Sequence, residues 1–244
     1  YVFLTDEEQE INRAIESQNV ESGEIINKVS ELIFDGLYDE KKYRYPAFNG
    51  RYAFAFNQFV DDKPYKANQS HDITLKILTP NSDELLDDTT LRLSSGRSSI
   101  VLVVLPSDRS FLDEIRSALQ IEKFIRCDTT NSITKFEMIK EAKKIEMRDR
   151  AESAKIYLAE SLKESRIYVN LDEVKTTSKD ITTRINEAIG KLVSNVYHKL
   201  DYIDVAMNES DIRDLFRSKN KQLTLLEDNK IPNTLALDEV KGYI

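Results

Sequence analysis

One cysteine in 244 residues, Cys127, leaves no internal disulfide and no thiol cluster for a structural zinc site, so a reducing interior, the cytoplasm, is the expected home. Six glycines and five prolines are too few for a collagen-like or linker-rich chain. Disorder is excluded from the other side, because 40% of the residues are hydrophobic and the net charge is only -8. Long apolar runs are missing as well. The longest, residues 100–105, has the length of a strand and falls far short of the roughly 18 to 20 residues that cross a bilayer. The chain opens Tyr1-Val2-Phe3-Leu4, without Met and without a basic-plus-apolar leader, and is expected to be a segment of something longer.

Charge is unevenly placed. Residues 1–40 hold eleven acidic side chains against Arg13 and Lys28, a net -9, whereas the remaining residues are balanced at +1. Neither part offers the basic stripe that gives nucleic-acid binders their affinity, so direct nucleic-acid binding is not expected. The acidic end reads as a solvated helix face, with a cationic partner surface as the sharper alternative.

Periodicity organises the rest. Thr5-Asp6-Glu7-Glu8 has the spacing of a capping box and predicts a helix to about Gln18; a second helix from Ser22 carries Ile25, Ile26, Val29, Leu32 and Ile33 and stops at Asp35-Gly36. Strict alternation predicts strands over 51–56 and 72–79, and 99–105 reads as a buried strand stopped by Pro106. Helices are expected over 82–93 and from Ser110 to Ile125. Residues 132–165 contain neither Gly nor Pro and predict one charged helix about 50 Å long, either a projecting arm or a connector, with Ala151, Ala154, Leu158 and Leu162 as its seam. A short hairpin over 167–175, a helix over 180–200 and a shorter helix from Ser210 complete the pattern. The expected fold class is α+β: a small β-sheet packed by helices, a long charged helix and a helical second unit. The expected divisions are an acidic helical hairpin at 1–40, a small α/β unit of three or more strands at 41–130, a connecting helix at 131–166, and a hairpin plus helical unit at 167–244.

Catalytic signatures are scarce. Gly190-Lys191 lies inside an amphipathic helix and is not a phosphate loop; His71 and His198 lack a ligand at metal spacing. Ser95-Gly96-Arg97-Ser98 precedes its strand, whereas a nucleophile elbow follows one, and it reads as a turn. Cys127 has no nearby His. Two acid-x-Lys fragments, Glu173-Val174-Lys175 and Glu239-Val240-Lys241, would suit a Mg²⁺-dependent nuclease if Asp61, Asp62 or Asp72 converged on them; surface charge is the plainer reading of both. No catalytic, cofactor-binding or metal residue is assigned.

Several stretches carry a family likeness: Leu4-Thr5-Asp6-Glu7-Glu8-Gln9-Glu10-Ile11, the run Asn49 to Asn57 into Val60-Asp61-Asp62-Lys63-Pro64-Tyr65, Leu78-Thr79-Pro80-Asn81-Ser82-Asp83, Leu105-Pro106-Ser107-Asp108 and Ile121-Glu122-Lys123-Phe124-Ile125-Arg126. In this order they resemble the central region of the BrxC-type P-loop ATPases of bacteriophage exclusion (BREX) systems, related to the AAA+ class. The resemblance implies phage defence by a complex of BREX proteins that includes a DNA methyltransferase, with ATP and Mg²⁺ used by the parent protein. The family's phosphate-binding loop has no counterpart among these residues, which implies an ATPase core outside them. The expected role is therefore a non-catalytic segment that positions or couples that core. A metal-dependent nuclease module and a self-associating helical scaffold, with a possible homo-oligomer, remain as alternatives.

Overall fold

The computed structural model describes residues 6–46, 52–66, 70–82, 87–96, 99–127 and 134–197, with the side chains of Cys127 and residues 134–138 excepted. Chain order is α1 (Asp6–Glu16), α2 (Ser22–Leu32) with a π-helical turn (Ile33–Leu37), β1 (Lys42–Arg44), β2 (Ala53–Val60), β3 (Lys63–Pro64), β4 (Ile73–Leu78), α3 (Asp88–Gly96), β5 (Ile100–Val104), α4 (Ser110–Cys127), α5 (Thr134–Glu164), β6 (Arg166–Val169), β7 (Asp172–Glu173) and α6 (Ile181–Val196). The fold is α+β. Thr5, His198, the helix expected from Ser210 and the Glu239–Lys241 fragment lie outside the described residues.

The sheet runs β1-β2-β4-β5-β6-β7, with β3 paired to β2 off that path. β2, β4 and β5 are mutually parallel, whereas β6 pairs antiparallel with β5 and β7 with β6. The hairpin expected over 167–175 thus continues the sheet of the earlier strands across the boundary placed at 166. Register separates two faces. Leu75, Ile77, Val101, Val103, Ile167 and Val169 share one and are 3% exposed or less. Leu78, Leu102, Val104 and Tyr168 share the other and form a core cluster with Leu91 of α3. Such two-sided burial explains why residues 100–105 are apolar throughout.

β2 extends four residues beyond the strand expected over 51–56. Asn57 stays in it because its amide donates to the His71 carbonyl (2.8 Å) and the Thr74 hydroxyl (3.1 Å), so a polar residue is satisfied at 8% exposure. The helix expected over 82–93 begins later, at Asp88, since the Asp87 carboxylate accepts the Thr90 amide (3.0 Å) as an N-cap.

The long helix α5 is no projecting arm. It lies against α4, and Ala154, Leu158 and Leu162 are 0 to 2% exposed. At its other half, Ile139 and Met147 pack on the cluster of Ile11, Ile15 and Ile121, which also holds α1 on α4. Its 31 residues span about 46 Å.

By internal contacts the chain divides into two units, residues 1–43 with 55–192, and residues 44–54 with 193–244. Within the second, the Phe54 and Tyr197 rings lie 4.8 Å apart and the Tyr45 amide donates to the Tyr52 carbonyl (2.9 Å).

Two local features invite substitution. The β6–β7 hairpin turns through Asn170 (φ 50°) and Leu171 (φ 73°), the pair of positive angles of a type I′ turn. Asn tolerates that region; Leu does not. Leu171→Gly is expected to raise stability by about 1 kcal/mol, or about 2 to 4 °C in Tm, by relieving the backbone. The second is Gly190 in α6, where an added Cβ would stand 2.6 Å from the Tyr43 hydroxyl oxygen. Tyr43 is 9% exposed and has little room to retreat. Gly190→Ala is therefore expected to cost about 1 to 2 kcal/mol in a urea melt, despite the roughly 1 kcal/mol of helix propensity it gains.

Candidate functional site

Among the described residues, the acidic ones that a nuclease reading requires are not brought together. Asp61 follows the carboxyl end of β2, Asp72 precedes the amino end of the parallel β4, and Glu173 lies on β7. Four strand spacings separate β2 from β7, about 19 Å. Each acid also has local work. Asp61, at φ 50°, accepts the Thr79 amide (2.7 Å) and hydroxyl (2.9 Å), joining the ends of β2 and β4, and burial pushes its carboxyl above the usual range. Asp62 pairs with Lys76 at 2.8 Å. Lys175 is exposed. No group of three His, Cys, Asp or Glu among the described residues has the arrangement of a metal site.

Ser95 and Gly96 are the last residues of α3, not a turn; Arg97 and Ser98 lie outside the described residues. The Ser95 hydroxyl donates to the Arg92 carbonyl (2.8 Å) and accepts the Leu171 amide (3.1 Å), so it ties helix to hairpin. Gly190 and Lys191 sit within α6, as their spacing implied.

What the sheet does assemble is a charge network from α3, β6 and β7. Arg166 donates to Glu173 (3.0 and 3.2 Å) and to Asp88 (2.6 Å); Arg92 donates to Asp88 (2.6 Å) and to the Leu171 carbonyl (3.2 Å). The Tyr168 hydroxyl adds a bond to Asp88 (2.9 Å), and the Arg166 guanidinium stands 5.1 Å from the Tyr168 ring centre. Hydrogen bonds from Arg92, Tyr168 and Arg166 hold the Asp88 carboxyl at about 2, while burial and Asp88 push the Tyr168 phenol up to about 12. Bonding to Glu173, then to Asp88, raises Arg166 further above its ordinary value. Two cations balance two anions, and the network fastens α3 to the hairpin. Because the Asp88 carboxyl is depressed from 3.8, its contribution to stability is complete above about pH 4 and lost as pH falls toward 2. Asp88→Asn is therefore expected to flatten that acid limb in a plot of Tm against pH.

A second assembly fixes the end of α5. Arg184, 9% exposed, reaches from α6 and donates to the carbonyls of Leu162 (2.8 Å), Lys163 and Ser165 and to the Thr176 hydroxyl (3.0 Å). The last carbonyls of a helix have no intrahelical donor and carry partial negative charge, so one guanidinium satisfies several acceptors and the dipole together. Ser165 immediately precedes β6, which makes this the joint between helix and sheet. Sequence reading passed over Arg184, although a signal was present: it lies three residues after Ile181 and four before Ala188, a lone charge on an otherwise apolar stripe.

The family described as the BREX ATP-binding protein BrxC 4th domain with six-stranded beta sheet matches residues 18–192, more than two thirds of the chain. The strand path β1-β2-β4-β5-β6-β7 has that number of strands, with β3 as an appended two-residue strand. No solved structure matches the chain significantly.

Proposed function

The chain belongs to the BrxC fourth-domain family of BREX ATP-binding proteins, and from that premise we propose that it is a non-catalytic segment of a phage-defence ATPase, positioning or coupling an ATPase core that lies outside these residues. The observation that carries this reading is the Arg184 joint, where a long packed helix, a sheet and a third helix meet at fixed hydrogen bonds. An element held in this way moves as a body, so a displacement at one end of α5 reaches the sheet without being absorbed in a loop. ATP and Mg²⁺ belong to the core in this reading, and the partners are other BREX proteins, including a DNA methyltransferase. The setting is the cytoplasm; no helix among the described residues is long and apolar enough to cross a membrane.

Incubation of the chain with ATP and Mg²⁺ should give no turnover above background. The parent protein lacking residues 18–192 should still bind ATP but lose protection against phage. Hydrolysis by the chain alone, or full protection without it, would overturn the proposal. A second reading, self-association along α5, draws on Ile145 and Ile156, both 51% exposed and eleven residues apart on one helix face. Changing both to Ser would abolish any rise of solution mass with concentration if that reading holds.

A further inference from the structure

β7 ends the strand path, and among the described residues no strand pairs with its outer side. Its ladder fixes which backbone groups face outward. β6 and β7 are antiparallel with Tyr168 opposite Glu173, and the Val174 amide donates to the Ile167 carbonyl (2.7 Å). Bonded and non-bonded pairs alternate along an antiparallel ladder, so Ile167 with Val174 and Val169 with Asp172 are bonded pairs, and Tyr168 with Glu173 is not. The Glu173 N–H and C=O therefore point away from β6, toward the open edge. Beyond β7 the chain keeps the two-residue alternation of a strand: Val174 is buried, Lys175 exposed, Thr176 half-buried and Thr177 exposed. The Lys175 N–H and C=O accordingly face the same way as those of Glu173.

Edge charges commonly repel a second strand. Here they select one. Glu173-Val174-Lys175, the acid-x-Lys fragment of the sequence, is self-complementary. Laid antiparallel on a copy of itself with Val174 opposite Val174, it sets Glu173 opposite Lys175 on both sides of a two-fold axis. These are the residues whose N–H and C=O point outward, so each ion pair also closes two backbone hydrogen bonds. Sliding one copy by two residues sets Glu173 against Glu173 or Lys175 against Lys175, which like charge disfavours. Arg166 holds the Glu173 carboxylate by two hydrogen bonds (3.0 and 3.2 Å) and so fixes it on its face of the strand. Exposed leucines gather at the same edge. Leu171, 50% exposed at φ 73°, lies so close over Gly96 that an added Cβ there would stand 2.3 Å from it, and Leu93, 49% exposed, is one turn before Gly96 on α3. Strain retained on an exposed apolar side chain fits a surface that another chain covers. In the paired edge, Leu171 meets Thr177 of the second copy.

We propose that the β7 edge is an interface between two copies of this chain, paired antiparallel about a two-fold axis at Val174 so that one sheet continues into the other. Such pairing neither requires nor follows from the positioning role, and its surface is separate from the exposed isoleucines of α5.

Sedimentation equilibrium of the full 244-residue chain should show the mass rising from 28.2 kDa toward twice that value, with a dissociation constant on the order of 10 to 100 µM, as suits a small interface. The Glu173 and Lys175 amides should gain protection from hydrogen exchange as concentration rises, while the Asp172 and Val174 amides, which bond to β6, stay protected throughout. Lys175→Glu turns both ion pairs into like-charge pairs and should weaken association about ten-fold or more. Lys175→Pro removes an outward N–H from an edge, so Tm should hold while association is lost. A monomer at every concentration up to about 1 mM, association unchanged in both variants, or association abolished by changing Ile145 and Ile156 to Ser would each overturn the proposal. Should Lys175→Pro disturb the fold, Lys175→Glu, a change at an exposed side chain, still decides.

Discussion

Arg184→Met is expected to lower the stability of the chain by about 2 to 4 kcal/mol, the cost of leaving buried carbonyls without their donor. Met fills much the same volume, so the loss isolates the guanidinium from its packing. Among the described residues the charge meets no carboxylate; its acceptors are the carbonyls of Leu162, Lys163 and Ser165 and the Thr176 hydroxyl. Burial draws the arginine pKa down, although a guanidinium remains charged at any working pH. Without it the Leu162 carbonyl keeps the Ser165 hydroxyl (2.7 Å), but the Lys163 and Ser165 carbonyls lose this donor, at about 1 to 3 kcal/mol for each that water cannot reach. Arg184→Lys should restore less than half of the loss, because an ammonium cannot span acceptors that a planar fork reaches together. Urea unfolding of the three forms measures this directly. A cost below about 1 kcal/mol would mean that water already serves those carbonyls and that the joint is looser than its hydrogen bonds imply. In the parent protein, the same substitution at a temperature where the fold survives separates coupling from nucleotide binding.

Much of the architecture was legible because apolar spacing is a local property. The alternation at Ile73, Leu75 and Ile77 marks β4, the unbroken apolar run marks β5 buried on both faces, and the stripe from Ile181 to Val193 marks α6. Where a boundary moved, a side chain moved it: Asp87 capped α3 later than expected, and Asn57 found partners that let β2 continue. Long-range pairings were illegible for a physical reason. Asp88 meets Arg166 and Tyr168 across about eighty residues, and the packing of α3 on β6 brings them together. The sheet order undid the nuclease arrangement, because three strands lie between β2, which Asp61 follows, and β7, which carries Glu173. Leu171 could not be foreseen as a positive-φ residue, since Asn-Leu lacks the glycine that usually announces such a turn. Its strain is held by bonds from Arg92 and to Ser95 that no local pattern shows.

Leu158→Ala should cost about 2 to 5 kcal/mol, whereas Ile156→Ala, two residues earlier on the same helix, should change stability by less than about 0.5 kcal/mol. Both lose comparable hydrocarbon; only burial differs, 0% exposed for Leu158 and 51% for Ile156. The intrinsic helix propensities of Leu, Ile and Ala differ by a few tenths of a kcal/mol, too little to produce the contrast. It therefore reports whether the C-terminal half of α5 is part of the core or a strut through solvent. Packing of this kind is what lets the helix carry a displacement, because a close-packed interface transmits strain while a hydrated one dissipates it. Equal effects at the two positions would place α5 in solvent on both sides and remove the mechanical basis of the coupling role, whatever the Arg184 joint contributes. A large loss at Leu158 alone, with protection against phage falling in parallel while ATP binding by the parent persists, is the outcome that ties the packed helix to defence.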